Sequence, residues 1–435
     1  MITSPAFRGK RYAVLGLARS GLATVAALAA SGAQVVAWDD REEARQALRT
    51  SHPAVGITDF PKSDSLAGYD AIIVSPGVPL NRHPLKARAD ADRVPVIGDI
   101  ELFAQARASL PPHKVVGITG TNGKSTTTAL IHHIVATAGI PARLGGNIGL
   151  PILGQDPLPV GGIYVLELSS YQIDLTYSLD CDVSVLLNIT PDHLDRYDGF
   201  AGYVASKARL FAMQSPHNWA VIVGDDDRTR RIAAVEYARR GAPAEWALVH
   251  AVEPSRQHDW PALQGPHNAE NAAAAIAAAR ALGISDALIE QGLRTYPGLP
   301  HRMERVLERD GLLFVNDSKA TNPTSTAPAL AAYPAIHWIL GGIAKTDDLD
   351  ACAPHFDHVR AAYTIGEAGP MFARLMRAAG KPVTESGTLE AAVRAAAAAA
   401  RPGEVVMLSP ACASFDQFRD FEARGDAFRA AVEAL

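Results

Sequence analysis

The chain has 435 residues, enough for two to four ordinary domains, with the 48% hydrophobic and 20% charged content of a globular protein. A formal net charge of -5, with no run of basic residues, removes any electrostatic case for a nucleic-acid or anionic-membrane partner. Three widely spaced cysteines, Cys181, Cys352 and Cys412, with no C-x-x-C pair, suggest neither a disulfide framework nor a zinc ribbon and fit a reducing cytoplasm.

Residues 1–10 are short and polar and lack the apolar core of a signal peptide. Strand-like runs follow at 11–15, 34–38 and 71–74, with a helix at 21–31 after the first. A strand at 114–119 leads into a helix at about 125–138. Further strands are expected at 163–168, 183–188, 219–223, 313–316, 336–340, 361–365 and 405–408. The Ala-rich stretches 272–281 and 395–400 are too short to span a bilayer, so no membrane insertion is expected; they read as amphipathic helices. Strands alternating with helices predict an α/β fold of parallel sheets, and continuous apolar strands predict sheets covered on both faces. Pro/Gly punctuation near 94–96 and 296–300 divides the chain into domains at 1–97, 98–298 and 299–435.

The strongest motif is Gly120-Thr121-Asn122-Gly123-Lys124-Ser125, placed between a strand and a helix. Glycines let backbone N–H groups approach phosphates, and a helix N-terminus adds partial positive charge. Lys124 is placed to reach β- and γ-phosphates, and the Ser125 hydroxyl to bind Mg²⁺. The general pattern G-x-x-x-x-G-K-[ST] demands glycine at position 118, where this chain has Ile118.

That variant loop resembles the one in Mur ligases and folylpolyglutamate synthetases, enzymes that use ATP to join an amino acid to a carboxylate. Gly146-Asn147-Ile148-Gly149, Glu167-Leu168-Ser169-Ser170-Tyr171-Gln172 and Asn188-Ile189-Thr190-Pro191-Asp192-His193-Leu194-Asp195 follow in the family's order. His301-Arg302-Met303-Glu304, Asn316-Asp317-Ser318-Lys319-Ala320-Thr321-Asn322 and Leu408-Ser409-Pro410-Ala411-Cys412-Ala413-Ser414-Phe415-Asp416 complete it. The last two segments are similar to the D-glutamate-adding branch, and the resemblance covers essentially the whole chain.

The resemblance implies three domains: an N-terminal Rossmann-like domain, a central P-loop ATPase-like parallel sheet and a C-terminal Rossmann-like domain that closes on ATP and binds glutamate. It implies addition of D-glutamate to UDP-N-acetylmuramoyl-L-alanine in peptidoglycan synthesis, through an acyl phosphate and a tetrahedral intermediate. The resemblance also implies ATP and two Mg²⁺ ions, and carboxylate activation gathers negative charge that metal ions and cationic side chains would offset. By the same resemblance Lys124, Glu167, His193, Lys207 and Lys319 are catalytic. Ser125, Glu167, His193 and Lys207, the last as N6-carboxylysine, are the expected metal ligands. Read alone, His193 is an unusual Mg²⁺ ligand and Lys207 an ordinary exposed helix lysine.

The expected ATP contacts are Gly120, Thr121, Asn122, Gly123, Lys124, Ser125, Thr126, Asn268, Asn271, Arg302 and Asp317. Asn268 also reads as a helix cap. Thr321, Lys345, Ser414 and Phe421 match glutamate-holding positions, although Gly341-Gly342-Ile343-Ala344-Lys345 stands where the family often has Gly-Gly-Asp-Gly-Lys. Cys412 reads as a small buried thiol. Arg19, Ser20, Asp39, Asp40, Arg41, Ser75, Gly77 and Asn147 are expected to cradle the sugar nucleotide. Gly16-Leu17-Ala18-Arg19-Ser20-Gly21 misses the middle glycine of G-x-G-x-x-G, which speaks against a dinucleotide cofactor; a Rossmann-like domain with a purely structural first turn is the bland alternative. Two other readings stand beside this one: a sister ligase or L-glutamate-adding paralogue, and a non-catalytic ATP-binding switch. Nothing in the sequence requires more than a monomer.

Overall fold

The computed structural model describes residues 1–241 and 245–435, which form two compact units. The first comprises residues 1–250 and 271–292, the second 251–270 and 293–435. Two sheets lie in the first unit. β1 (Arg11–Leu15), β2 (Gln34–Trp38), β3 (Gly56–Ile57), β4 (Ala71–Val74) and β5 (Val96–Ile97) are parallel, in the order β3-β2-β1-β4-β5. β6 (His113–Thr119), β7 (Ala142–Gly146), β8 (Gly162–Glu167), β9 (Val183–Leu186), β10 (Trp219–Val223) and β11 (Trp246–Val249) form a second parallel sheet, ordered β11-β10-β9-β6-β8-β7.

The second unit carries β12 (Glu304–Arg309), β13 (Leu312–Asn316), β14 (Ile336–Gly341), β15 (Val359–Ile365), β16 (Val383–Gly387) and β17 (Val405–Leu408), ordered β12-β13-β17-β14-β15-β16. This sheet corrects the all-parallel expectation, because β12 pairs antiparallel with β13. The cause is local. Asp310-Gly311 joins the two strands with φ of 53° and 76°, the backbone of a two-residue hairpin turn.

Strands β4, β8 and β9 are buried at every position, as sheets covered on both faces require. The helix Pro266–Ala281 departs from the amphipathic reading. Between 271 and 279 every residue but one is buried, because alanine lets neighbours approach on all sides. Among the described residues no helix is long and apolar enough to cross a membrane. All three cysteines are buried free thiols.

In open parallel sheets ligands gather beyond the carboxyl ends of the strands, where the strand order reverses. In the first sheet that point lies between β1 and β4, and in the second β6 stands between β8 and β9.

Candidate active site

The phosphate loop leaves β6 and enters the helix Lys124–Thr137 through Gly123, which has φ 82°. A Cβ on Gly123 would stand 2.2 Å from Asn271 Oδ1, so both conformation and space demand glycine there. Ile118, where the general motif has glycine, is a fully buried strand residue in register with Glu167. The first glycine of the motif is therefore replaced by core.

The loop is clamped from the β9 side. Thr121 N donates to Asn188 O (2.8 Å) and Asn122 N to Asn188 Oδ1 (2.9 Å). Thr190 N donates to Thr121 Oγ1 (3.0 Å), which also lies 3.2 Å from Tyr203 OH. Lys124 Nζ donates to the carbonyls of Gly120 (3.0 Å) and Thr121 (2.7 Å). Ser125 and Thr126 follow in the first turn of the same helix. Asn271 accepts from Thr127 Oγ1 at 3.1 Å. Asn268 lies within the first turn of Pro266–Ala281 and donates Nδ2 to Gln264 O (3.0 Å), so it is not the capping residue.

Lys207 corrects the exposed-lysine reading. It is 1% exposed, on the helix Gly199–Ala212, and its Nζ donates to Gly120 O at 2.7 Å. Burial drives its pKa well below that of a free lysine. Lys124 pushes in the same direction, and the carboxylates of Asp192, Asp174 and Glu167 oppose it. Glu167 ends β8. Asn147 Nδ2 donates to Glu167 Oε1 (2.9 Å), while buried Oε2 has no hydrogen-bond partner. An anionic oxygen left so is costly unless a cation satisfies it. Among the described residues no three His, Cys, Asp or Glu side chains form a metal cage. A cation here would complete its shell with phosphate oxygens and water, which suits Mg²⁺.

His193 adopts a left-handed φ of 52°, with Nε2 3.5 Å from Asp192 Oδ2 and its ring 5.1 Å from Tyr171. Tyr203, buried, lies 6.4 Å from the His193 ring, and Lys207 Nζ is 4.6 Å from its centroid. Sequence reasoning missed Tyr203 and Asn188 as site residues. Tyr203 stands four residues before Lys207, on one helical face, which was the available signal. Arg196 was also missed: it lies 4.6 Å over Tyr171 and donates to Val78 O (3.1 Å) and Gly77 O (3.2 Å).

The eight expected sugar-nucleotide residues, Arg19, Ser20, Asp39, Asp40, Arg41, Ser75, Gly77 and Asn147, all line one cavity of about 700 Å³. Asp39 organises its floor by accepting from Leu17 N (2.7 Å) and Arg41 Nε (3.1 Å). Burial opposes its charge, but these bonds outweigh that and hold its pKa below the usual carboxylate range. A Cβ on Gly16 would meet Ser75 at 2.9 Å, and one on Gly21 would meet Gly16 O at 1.9 Å. The first and third glycines are thus kept for packing, while Ala18 is accommodated between them.

In the second unit the expected residues follow β13, β14 and β17. Asp317 is buried and accepts from Ser409 Oγ (2.8 Å) and Met303 N (3.2 Å); burial pushes its pKa up to about 7 against those hydrogen bonds. Arg302 sits between His301 (φ 62°) and Met303 (φ 48°), two left-handed residues that store backbone strain. Lys319 Nζ lies 3.6 Å from the Phe421 ring centroid. Lys345 Nζ is 3.4 Å from Thr321 Oγ1. Ser414 is buried next to Ala413, whose backbone exchanges two 2.9 Å hydrogen bonds with Ile343. Buried Arg424, another residue missed in sequence, donates to Ser318 O (2.8 Å) and Cys412 O (3.0 Å), tying the loop after β13 to the loop after β17.

Comparison with known proteins matches this arrangement. The Mur ligase MurD-like N-terminal domain model matches residues 10–98, the Mur ligase middle domain 118–279, and the Mur ligase glutamate ligase domain 301–412. The chain is 66% identical to UDP-N-acetylmuramoylalanine--D-glutamate ligase of Novosphingobium aromaticivorans, over 100% of this chain and 97% of that one. It is 61% identical to the protein of the same name from Sphingopyxis alaskensis, over 100% of both. Among solved structures, UDP-N-acetylmuramate-alanine ligase MurC of Thermotoga maritima aligns with TM-score 0.58 at 16% identity, covering 98% of this chain and 99% of that one. MurF of Acinetobacter baumannii aligns with TM-score 0.57 at 18% identity, covering 100% and 93%. The structural likeness establishes a shared three-domain α/β fold. With a clamped phosphate loop, an unsatisfied Glu167 oxygen and full-length relatives at this identity, the chain belongs to the Mur ligase family.

Proposed function

We infer that the chain is an ATP-dependent ligase that adds D-glutamate to UDP-N-acetylmuramoyl-L-alanine in peptidoglycan synthesis. It works in the cytoplasm as a monomer, with residues 1–97 holding the sugar nucleotide, 98–298 ATP and 299–435 glutamate. The observation that carries this reading is the buried Lys207, which shares the Gly120 carbonyl with Lys124 and lies within electrostatic reach of Glu167. A nucleotide switch needs a phosphate loop but has no use for a lysine buried beside it at the cost of desolvation.

Lys124 exchanges the Gly120 and Thr121 carbonyls for phosphate oxygens and follows the γ-phosphate to the substrate carboxylate. That carboxylate attacks phosphorus, the bond to ADP breaks, and the acyl carbon gains a good leaving group. The glutamate amine then attacks the acyl carbon, loses a proton, and expels phosphate. Bound Mg²⁺ neutralises charge on the phosphates and polarises the P–O bond. Ser125, Glu167, His193 and Lys207 would hold two such ions. Burial lowers the pKa of the Lys207 amine, which favours its unprotonated form; that form adds to CO₂ and releases a proton, giving an anionic N6-carboxylate ligand. Arg302 and Lys319 pair with nucleotide phosphates and Asp317 with a ribose hydroxyl. Thr321, Lys345, Ser414 and Phe421 hold glutamate.

Phosphate release is the test, measured with ATP, Mg²⁺ and UDP-N-acetylmuramoyl-L-alanine while the amino acid is varied. Release that depends on D-glutamate is the expected result. Release with L-glutamate alone moves the assignment to a paralogue, and release independent of both substrates sinks it. For Lys207, a ¹³C-carbamate resonance is expected from protein equilibrated with ¹³C-bicarbonate and is lost in Lys207→Arg.

A further inference from the structure

The cavity in the first unit contains one acidic residue that no part of the expected substrate site used. Asp99 opens the helix Asp99–Ala106, directly after β5, and it lines the cavity while only 5% exposed. The donors on its carboxyl group are backbone N–H groups, that of Ile100 to Oδ1 at 3.0 Å and its own. Among the described residues no side chain pairs with it. Burial pushes its pKa up to about 6 in spite of those backbone bonds. A carboxylate kept at a helix start for the helix alone would do that work equally well in water. Buried in a cavity wall without a counter-ion, it is an acceptor awaiting a donor.

The sheet order locates that donor along the ligand. Asp39 to Arg41 leave β2, Arg19 and Ser20 lie just beyond β1, Ser75 and Gly77 follow β4, and Asp99 follows β5. Three strand spacings separate β2 from β5, about 14 Å, the span of a nucleoside diphosphate carrying a sugar. Phosphates suit the middle of that row, at the N-terminus of the helix Arg19–Ala30. They would be repelled by Asp99. Asp99 is tied to the segment after β8, since Gly98 N donates to Leu175 O (2.8 Å), just past the helix Ser170–Asp174 that carries the cavity residue Gln172.

We propose that Asp99 is a specificity-determining residue that accepts a hydrogen bond from a hydroxyl or amide N–H of the N-acylated sugar, at the end of the ligand opposite the nucleoside. The proposal rests on the sugar-nucleotide reading of the cavity. Its consequence is a division of the cavity: the β2 and β1 side reads the nucleotide, and Asp99 checks that a donor-bearing sugar follows it.

Calorimetric titration of the full chain with UDP-N-acetylmuramoyl-L-alanine and, separately, with UDP tests it, in wild type, Asp99→Asn and Asp99→Ala, with thermal melting of each. The expected result is a Kd for the full substrate raised about 10-fold or more in both variants, the loss of a charge-assisted hydrogen bond. The Kd for UDP stays within about 2-fold, and Asp99→Asn melts at or above the wild-type temperature because a desolvated charge is gone. Unchanged affinity for the full substrate in the variants overturns the proposal, as does an equal loss for UDP. A lower melting temperature in Asp99→Asn with intact affinity assigns Asp99 to helix stability and also overturns it. A wild type that binds UDP but gains nothing from the sugar and alanine overturns the substrate reading itself, a distinguishable failure.

Discussion

The phosphate loop of the first unit and the 341–345 loop of the second are built by opposite means. Gly120 to Ser125 is held from outside: Asn188, Thr190 and Tyr203 each bond to it, and Asn271 closes against Gly123. Residues 341–345 are held by their own backbone. Gly341 and Gly342 both have φ 129°, and a Cβ on either would lie 2.0 Å from Ile365 O or 2.2 Å from Ala413 O. Beyond them a single two-bond bridge joins Ile343 to Ala413. The first loop therefore depends on named side chains elsewhere in the chain. The second depends on two glycines, with Ile343 and Ala344 only partly buried. Its backbone brings Lys345 within 3.4 Å of Thr321.

The largest expected effect breaks the first loop at its charge. Lys124→Ala should lower kcat by at least about 100-fold, as loss of a transition-state cation does; near-wild-type steady-state turnover would mean the loop was misread. Lys207→Met should slow ligation less than Lys124→Ala does, yet raise stability by about 1 kcal/mol. The sign follows from its depressed pKa. The unfolded chain binds a proton that the folded chain does not, so wild-type stability rises with pH through the window below 10.5. Lys207→Met removes that slope, and paired pH–melting curves check it. Asn188→Ala should raise the KM for ATP about 10-fold, with the KM for glutamate unchanged; parallel initial-rate series separate the two. The smallest effect belongs to the second loop. Ile343→Asp with Ala344→Gly should change the KM for glutamate by less than about 3-fold, because the loop's course is set by Gly341 and Gly342. A large change there would erase the contrast between the loops.

The interior strands were legible because they are covered on both faces and read as unbroken apolar runs. The edge strands were not. β3 and β5 have two residues each, β7 is Ala-Arg-Leu-Gly-Gly, and β16 is half exposed, so none carries that signal. β12 was missed although Asp310-Gly311 marks its hairpin. Within the site, motif residues adjacent in sequence could be read directly. The burial of Lys207 could not, since Val204-Ala205-Ser206-Lys207 carries no sign of the Gly120 carbonyl 87 residues away. Asp99 was hidden for a related reason. Gly98-Asp99-Ile100 reads as a helix start until the cavity around it is known.

The central claim is that this phosphate loop delivers a γ-phosphate to a carboxylate rather than to water. The direct measurement uses UDP-N-acetylmuramoyl-L-alanine labelled with ¹⁸O in the alanine carboxylate, with mass analysis of the phosphate released during D-glutamate addition. One ¹⁸O atom is expected in each phosphate, carried over when the acyl phosphate is cleaved. Unlabelled phosphate would contradict it.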